Sequence, residues 1–270
     1  MNILMYIALI VGVVLLASAL IWLAGFLLVT DFAVPFGEVS AFQRILVFFP
    51  HADDEAISCG GALHRFARQG KAVTLIILTK GERGTPDARP DAQLGLARTR
   101  EAAAAAKTLG IARLIQEDFG DGALSAKRQE LATYIADAIQ SEQPDLLITY
   151  DRAGFYGHPD HIVCSQVVTD VRTSAFPQVA LWYVTFPARV RAGVRMPESL
   201  AAEAGAKAGA KADQARPTLK VFIGASVFPK IAAWYTYQSQ RASLTKGVLR
   251  LAPIWFFLSM MLFEYFAEVK

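Results

Sequence analysis

Hydrophobic positions along the chain fall into three kinds of pattern. From Ile3 to Val29 no residue is charged and nearly all are apolar. As a helix rising about 1.5 Å per residue, this run reaches roughly 40 Å, enough to cross a ~30 Å hydrocarbon core with some tilt. From Phe42 onward, short apolar runs alternate with longer amphipathic stretches. Ile45–Phe49, Ala72–Thr79, Leu146–Tyr150 and Val179–Phe186 are apolar almost throughout, as strands buried on both faces should be. Leu114–Phe119 and Thr218–Ile223 are further, shorter strand candidates. Helices are predicted over Glu55–Gln69, Leu94–Leu109, Ser125–Gln140, Asp160–Thr173 and Pro229–Arg241, with Gly70 and Gly110 as C-terminal stops. This alternation predicts an α/β fold, a doubly wound and mostly parallel sheet.

The third pattern is the tail. Gly247–Val269 is apolar again but carries Arg250, Pro253 and Glu264. Its uncharged core, Leu251–Phe263, falls short of the ~20 residues a span requires. It is therefore predicted as an apolar, membrane-associated C-terminal helix lying at the interface. A helix packed on the core is the alternative. The predicted organisation is a transmembrane anchor over 1–30, a linker over 31–41 and a catalytic domain over 42–243. That domain contains an Ala/Gly/Lys-rich insertion over 198–216, and a membrane-associated tail follows over 244–270. No Lys or Arg precedes the first apolar run, which argues for an uncleaved anchor over a signal peptide.

Composition and charge change this picture little. The hydrophobic fraction is 54%, and the anchor and tail account for its height. A net charge of +3, with no basic stripe interleaved with aromatics, gives no case for nucleic acid as a partner. Cys59 and Cys164 read as small buried residues. G-x-S-x-G, P-loop and C-x-x-C patterns are absent.

The chemistry is concentrated at two predicted strand ends. His51-Ala52-Asp53-Asp54-Glu55 follows the first strand after Pro50. His158-Pro159-Asp160-His161 follows Leu146–Tyr150. Three of the four histidines lie in these clusters. Open α/β sheets place their chemistry at this edge. So many ionisable groups at a buried strand end are costly unless a cation neutralises them. His51 and Asp54 are three apart, as are His158 and His161, a spacing that keeps two side chains on one side of a helical turn. Two histidines and a carboxylate with positions left open form the pattern of a catalytic metal site.

With Zn2+ held by His51, Asp54 and His161, the pKa of a bound water falls to about 7. Asp53, next to a ligand, is the candidate base. His158, one turn from His161, is the candidate to stabilise an oxyanion or protonate a leaving amine. Together these groups suit hydrolysis of an amide or ester by attack of the metal-bound water. Fe2+, Co2+ or Ni2+ fit the same donors. Each residue has a plainer reading. Asp53 and Asp54 are also good helix caps, Glu55 a first-turn dipole partner, and His158 and His161 surface histidines around a proline turn. Arg83 and Asp121 lie in loops that border the site and are candidates for binding substrate hydroxyls or phosphate, or else solvated loop charges. Arg98 and Glu101, one turn apart, are predicted to pair. His64 is assigned no role in the chemistry.

On these residues the sequence resembles the PIG-L/LmbE-like zinc-dependent N-deacetylase family. The matching pieces are PHADDEAISCGGAL at 50–63, LTKGERG at 78–84 and RTREAAAAAKTLGI at 98–111. Asp121-Gly122, HPDHI at 158–162 and YQSQ at 237–240 follow in the family's order. The resemblance implies a Rossmann-like fold and removal of an N-acetyl group from a GlcNAc-type sugar, with release of acetate. It assigns zinc to His51, Asp54 and His161, the base to Asp53 and assistance to His158. Two positions depart from the family: Ala52 stands where Pro is usual, and YQSQ stands where His-x-Ser-Gln is frequent. Family substrates include GlcNAc-phosphatidylinositol, thiol-cofactor precursors, chitin fragments and antibiotic intermediates. The anchor and tail point within that range to a lipid-linked amino sugar, met at a membrane. Family analogy places the catalytic domain on the cytoplasmic side. The rivals are another metal-dependent ester or phosphoester hydrolase, and an inactive membrane-tethered glycolipid-binding protein.

Overall fold

The computed structural model describes residues 3–37, 39–84, 89–193, 214–240 and 254–270. In chain order it contains α1 (Ile3–Val29), β1 (Arg44–Phe49), α2 (Asp54–Ser58), α3 (Gly60–Arg68) and β2 (Ala72–Ile77). Then come α4 (Ala92–Leu109), β3 (Arg113–Gln116), α5 (Arg128–Glu142), β4 (Leu146–Tyr150), α6 (Gly154–Gly157) and α7 (Pro159–Ala175). The chain closes with β5 (Ala180–Thr185), α8 (Ala188–Gly193), β6 (Leu219–Phe222), α9 (Val227–Thr236), α10 (Ile254–Met260) and β7 (Phe263–Val269).

The seven strands form one sheet in the order β3-β2-β1-β4-β5-β7-β6. The five from β3 to β5 are parallel; β7 runs against β5, and β6 against β7. This is the mixed α/β, mostly parallel architecture the alternation predicts. The period of two along β1 sorts its side chains between two cores. Ile45, Val47 and Phe49 join the layer of Leu63, Phe66, Ala105 and Trp234. Leu46 and Phe48 join Leu131, Ile135 and Val168 on the other face. Helices thus cover both faces, and the strands need no polar side. The winding reverses between β1 and β4. At such a switch point the loops leaving two neighbouring strands part to opposite faces and open a crevice. Both histidine motifs leave the sheet there.

Four expectations are corrected. The tail does not form a membrane-associated helix over its length. Only Ile254–Met260 is helical among its described residues, while Phe263–Val269 is a strand between β5 and β6. The reason is Glu264, which is fully buried. Its carboxylate lies 2.6 Å from Lys230 Nζ and accepts the N–H groups of Gly61 and Ala62. The folded unit therefore extends past residue 243. The helix expected over Glu55–Gln69 breaks at Cys59, where φ is −144°, and the glycines that follow start α3. A Cβ on Gly61 would sit 2.5 Å from Ile223 Cδ1 and 3.0 Å from Ile223 Cβ, so glycine here lets α3 pack closely without moving that side chain. Residues 31–41 are no free linker: Gly37 N donates to Lys220 O, and Lys220 N to Pro35 O, against β6. Finally, Arg98 and Glu101 do not pair, as described below.

α1 buries none of its residues. Residues 3–21 are exposed; Trp22 is half-buried, and its Nε1 donates to Ser259 Oγ at 3.2 Å. Of the insertion predicted over 198–216, positions 198–213 lie outside the described residues, as does 244–253 of the tail.

Candidate active site

The chain leaves β1 through Pro50 and turns sharply. Asp53 stands at φ 106°, in the left-handed region, at the N-cap of α2, yet its side chain makes no capping hydrogen bond. A residue that adopts a costly conformation without capping is held there by something else. Asp54 folds back instead, and its Oδ2 accepts the His51 N–H at 2.9 Å. On the second arm, His158 caps α7: its Nδ1 accepts the Asp160 N–H at 3.1 Å, and Pro159 takes the first helical position. His161 follows in the same turn.

The two arms meet. His51 Nδ1 lies 3.2 Å from His161 Nε2 and 3.7 Å from Asp54 Oδ2, and His161 Nε2 lies 3.4 Å from Asp54 Oδ1. All three residues are buried. Donors held about 2.0–2.2 Å from one tetrahedral ion lie about 3.3–3.6 Å from each other; the His51–His161 and His161–Asp54 separations are near that spacing, and His51 approaches the other Asp54 oxygen at a slightly longer distance. His51, His158 and His161 also come within metal-sharing range, as do His51, Asp121 and Asp160. The other nitrogen of His51, Nε2, faces Asp121 Oδ1 at 3.1 Å and Asp160 Oδ2 at 3.3 Å. Carboxylates in that position fix the tautomer and leave Nδ1 as the donor atom. Tyr150 supports the opposite wall. Its hydroxyl donates to Asp54 Oδ1 at 2.9 Å, and its ring stacks on His161 at 4.5 Å.

Arg98 reaches the site from α4. It donates to Ala52 O and Gly81 O, and its Nη2 lies 3.5 Å from Asp53 Oδ1. Its expected partner, Glu101, accepts instead from Ser239 N and Oγ at 2.9 and 2.6 Å. Glu55 accepts from Tyr237 Oη at 2.6 Å and from Asp53 N at 3.2 Å, so it braces the strained turn from behind.

Burial dominates the electrostatics. It pushes Asp53 up to about 7, with the Arg98 guanidinium opposing. It pushes Glu55 up to about 7, with the Tyr237 hydroxyl opposing, and it raises Asp54 against the pull of His51. His158 is pushed down to about 3 by burial and by its neighbours His51 and His161. Asp121 differs: burial would raise it, but His51, the Arg83 N–H and Arg98 hold it well below the usual carboxylate range. A pocket of acids that burial drives toward neutrality, with Arg98 the cation at Asp53, is short of positive charge. A divalent ion would supply what the donor set lacks.

Asp121 and Arg83 were candidates for substrate contact. Asp121 is buried against His51 and accepts the Arg83 N–H at 3.0 Å; the Arg83 side chain lies over Gly122. His64 is remote from the crevice and bonds Ser226, and Cys59 and Cys164 are buried free thiols. Sequence reasoning missed Arg98, Tyr150 and Asp160. Only Asp160 carried a local signal, standing between two marked histidines.

The model of the PIG-L family, GlcNAc-PI de-N-acetylase, matches residues 46–172, which takes in both motifs. A 1D-myo-inositol 2-acetamido-2-deoxy-alpha-D-glucopyranoside deacetylase of Streptomyces avermitilis is 36% identical over 152 residues, covering 46% of this chain and 51% of that protein. The chain thus spans about half the length of such curated relatives. Among solved structures, the N,N'-diacetylchitobiose deacetylase of Pyrococcus horikoshii superposes with a TM-score of 0.64 at 18% identity, over 88% of this chain and 87% of that one. GalB, the 4-carboxy-2-hydroxymuconate hydratase of Pseudomonas putida KT2440, gives 0.62 at 19%, over 84% and 96%. A hydratase and a deacetylase on one fold mean that the fold does not choose the reaction; the site does.

Proposed function

We propose that the chain, whose residues 46–172 match the PIG-L family model, is a metal-dependent hydrolase removing the N-acetyl group from a GlcNAc-containing, lipid-linked substrate. The observation that carries the reading is the convergence of His51 Nδ1, Asp54 and His161 Nε2 beside Asp53 and Arg98. His51, Asp54 and His161 would hold Zn2+, with Fe2+ or Co2+ able to replace it. When bound, the ion polarises the amide carbonyl and acidifies a water.

This chain's own residues do the rest. Asp53 takes the proton of the attacking water, and Arg98 beside it favours the ionised form. The Nδ1 of His158 accepts the Asp160 N–H. In the neutral ring that leaves the proton on Nε2, as a hydrogen-bond donor to the oxyanion, while the proton that Asp53 took from the water passes to the leaving amine. Water oxygen bonds to the acyl carbon, the C–N bond breaks, the amine leaves protonated and acetate is released. Asp121 and Asp160 hold His51 in register throughout.

α1 is the helix among the described residues that is long and apolar enough to cross a membrane. We read it as a single-pass anchor, with the catalytic domain toward the cytoplasm. An enzyme and substrate confined to one membrane meet at raised effective concentration. The test is acetate release by detergent-purified protein, with and without a chelator, from GlcNAc-inositol, GlcNAc-phospholipid and polyprenyl-linked GlcNAc. Chelator-sensitive release, strongest on a lipid-linked member, is expected. Bound metal without acetate release from any member would move the reaction to another ester or phosphoester. Absence of bound metal would sink the reading.

A further inference from the structure

Outside α1, the described large apolar side chains left exposed are Phe32, Phe36, Leu96, Phe222 and Phe228. Leu96 stands alone on α4. Phe32, Phe36 and Phe222 do not. Phe32 stacks edge-on to Phe26 of α1 at 6.0 Å; Phe36 and Phe222 contact Phe263 at 6.0 and 5.4 Å, and Phe263 contacts Phe26 at 6.2 Å. Phe228 lies in the first turn of α9, six residues after Phe222. Their exposures of 59, 67, 43 and 71% are high for phenylalanine. A ring of apolar side chains around the foot of an apolar helix is a continuous surface, and such surfaces mark interaction sites.

We propose that Phe32, Phe36, Phe222 and Phe228 form a membrane-docking collar that rests on the headgroup–acyl boundary of a bilayer crossed by α1. The proposal rests on the reading of α1 as a span. Continuity with α1 is what selects lipid as the occupant. The part of α1 that is exposed throughout, residues 3–21, is about 28 Å long at 1.5 Å per residue, close to the ~30 Å hydrocarbon thickness. Trp22 then falls at the interface, where tryptophan is favoured. Whatever surrounds the next turns meets headgroups, and here that is the phenylalanine collar.

The joint is rigid. Lys220 is buried beneath the collar, over the rings of Phe32, Phe36 and Phe263, and its Nζ donates to Asp31 O and Phe32 O. Asp31 N donates to Tyr265 Oη at 2.8 Å. At Gly25 a Cβ would collide with Met260 Sδ at 2.2 Å, so α1 and α10 pass in direct contact. The domain therefore keeps one face toward the bilayer rather than swinging on a tether. That face has a functional side. β6 runs with β1 and β4, so Phe222, its last residue, lies at the same edge of the sheet from which both histidine loops emerge. The collar lays the catalytic edge beside the membrane.

The test uses the full chain in vesicles of phosphatidylcholine and phosphatidylglycerol, with spin labels on Phe36→Cys and Phe228→Cys. Val13→Cys marks the anchor, and Gln140→Cys marks α5 away from the collar. The native cysteines are buried, so the label goes to the introduced thiols. Collision with oxygen is compared with collision with a water-soluble nickel chelate. The oxygen-to-nickel ratio at 36 and 228 is expected several-fold above that at 140 and below that at 13. Ratios at 36 and 228 equal to that at 140, with 13 still oxygen-favoured, would overturn the docking surface and leave the span standing. A ratio at 13 equal to that at 140 would overturn the span and the docking surface with it.

Discussion

At the scale of single residues, the site divides into groups that would hold an ion and groups that would move a proton, and the two should separate on substitution. Asp53→Asn keeps shape and removes the base. It is expected to lower kcat about 10²- to 10⁴-fold with bound metal unchanged. His51→Ala and Asp54→Ala should instead empty the site, and elemental analysis of the purified variants distinguishes the two classes. Metal loss from Asp53→Asn would make Asp53 a ligand. Arg98 gives a pH prediction. Its guanidinium favours the charged form of Asp53, so Arg98→Met should raise the pKa of the base. At a given pH less of it is then ionised, and the acidic limb of the rate profile moves to higher pH. An unmoved limb would remove Arg98 from the role. The five residues of the two motifs were legible because ionisable groups packed at buried strand ends need a purpose. Arg98 was not, because sequence offers it Glu101 one turn away. Only the fold shows that Glu101 is occupied by Ser239 while the arginine turns inward to Asp53.

At the scale of elements, the strands that hold the motifs were readable from unbroken apolar runs, and the uncharged run 3–29 marked α1 to its ends. β7 was not. Its Glu264 reads as a surface charge ending an apolar tail, and the cation that neutralises it lies 34 residues earlier, on α9. Tertiary pairing of that kind leaves no local pattern. It also carries weight: Glu264 ties β7 to α9 through Lys230 and to the first turn of α3 through Gly61 and Ala62. Removing one member of a fully buried pair strands the other charge. Lys230→Met is therefore expected to cost about 3–5 kcal/mol in chemical denaturation. The double variant Lys230→Met, Glu264→Leu should recover part of that loss. Recovery stays incomplete because the N–H groups of Gly61 and Ala62 lose their acceptor, at about 1–3 kcal/mol. Full recovery would mean that Glu264 serves only as the partner of Lys230.

At the scale of the whole molecule, α1 and the sheet are separable in stability but joined in use. α1 contributes no buried residue to either core, so a variant lacking residues 1–30 should keep its fold. What it loses is the Trp22–Ser259 bond, the packing of Gly25 on Met260, the ring contacts of Phe26 with Phe32 and Phe263 and the packing of Val29 against the core, none of them made to the residues of the crevice. Its turnover of a water-soluble GlcNAc conjugate should therefore match that of the full chain in detergent. Its turnover of a vesicle-borne GlcNAc lipid should fall, because the encounter returns from the membrane plane to bulk solution. The fall should be partial, since Phe32, Phe36, Phe222 and Phe228 remain and single apolar contacts still favour the interface. Adding Phe36→Ser and Phe228→Ser to the truncated variant should lower that turnover further while leaving the water-soluble activity in place. Equal losses on both substrates from truncation alone would show that α1 supports the crevice itself. Preference of the truncated variant for the water-soluble conjugate over every lipid-linked one would sink the assignment of a lipid-linked substrate. The ratio of the two activities, rather than either alone, isolates what the membrane contributes.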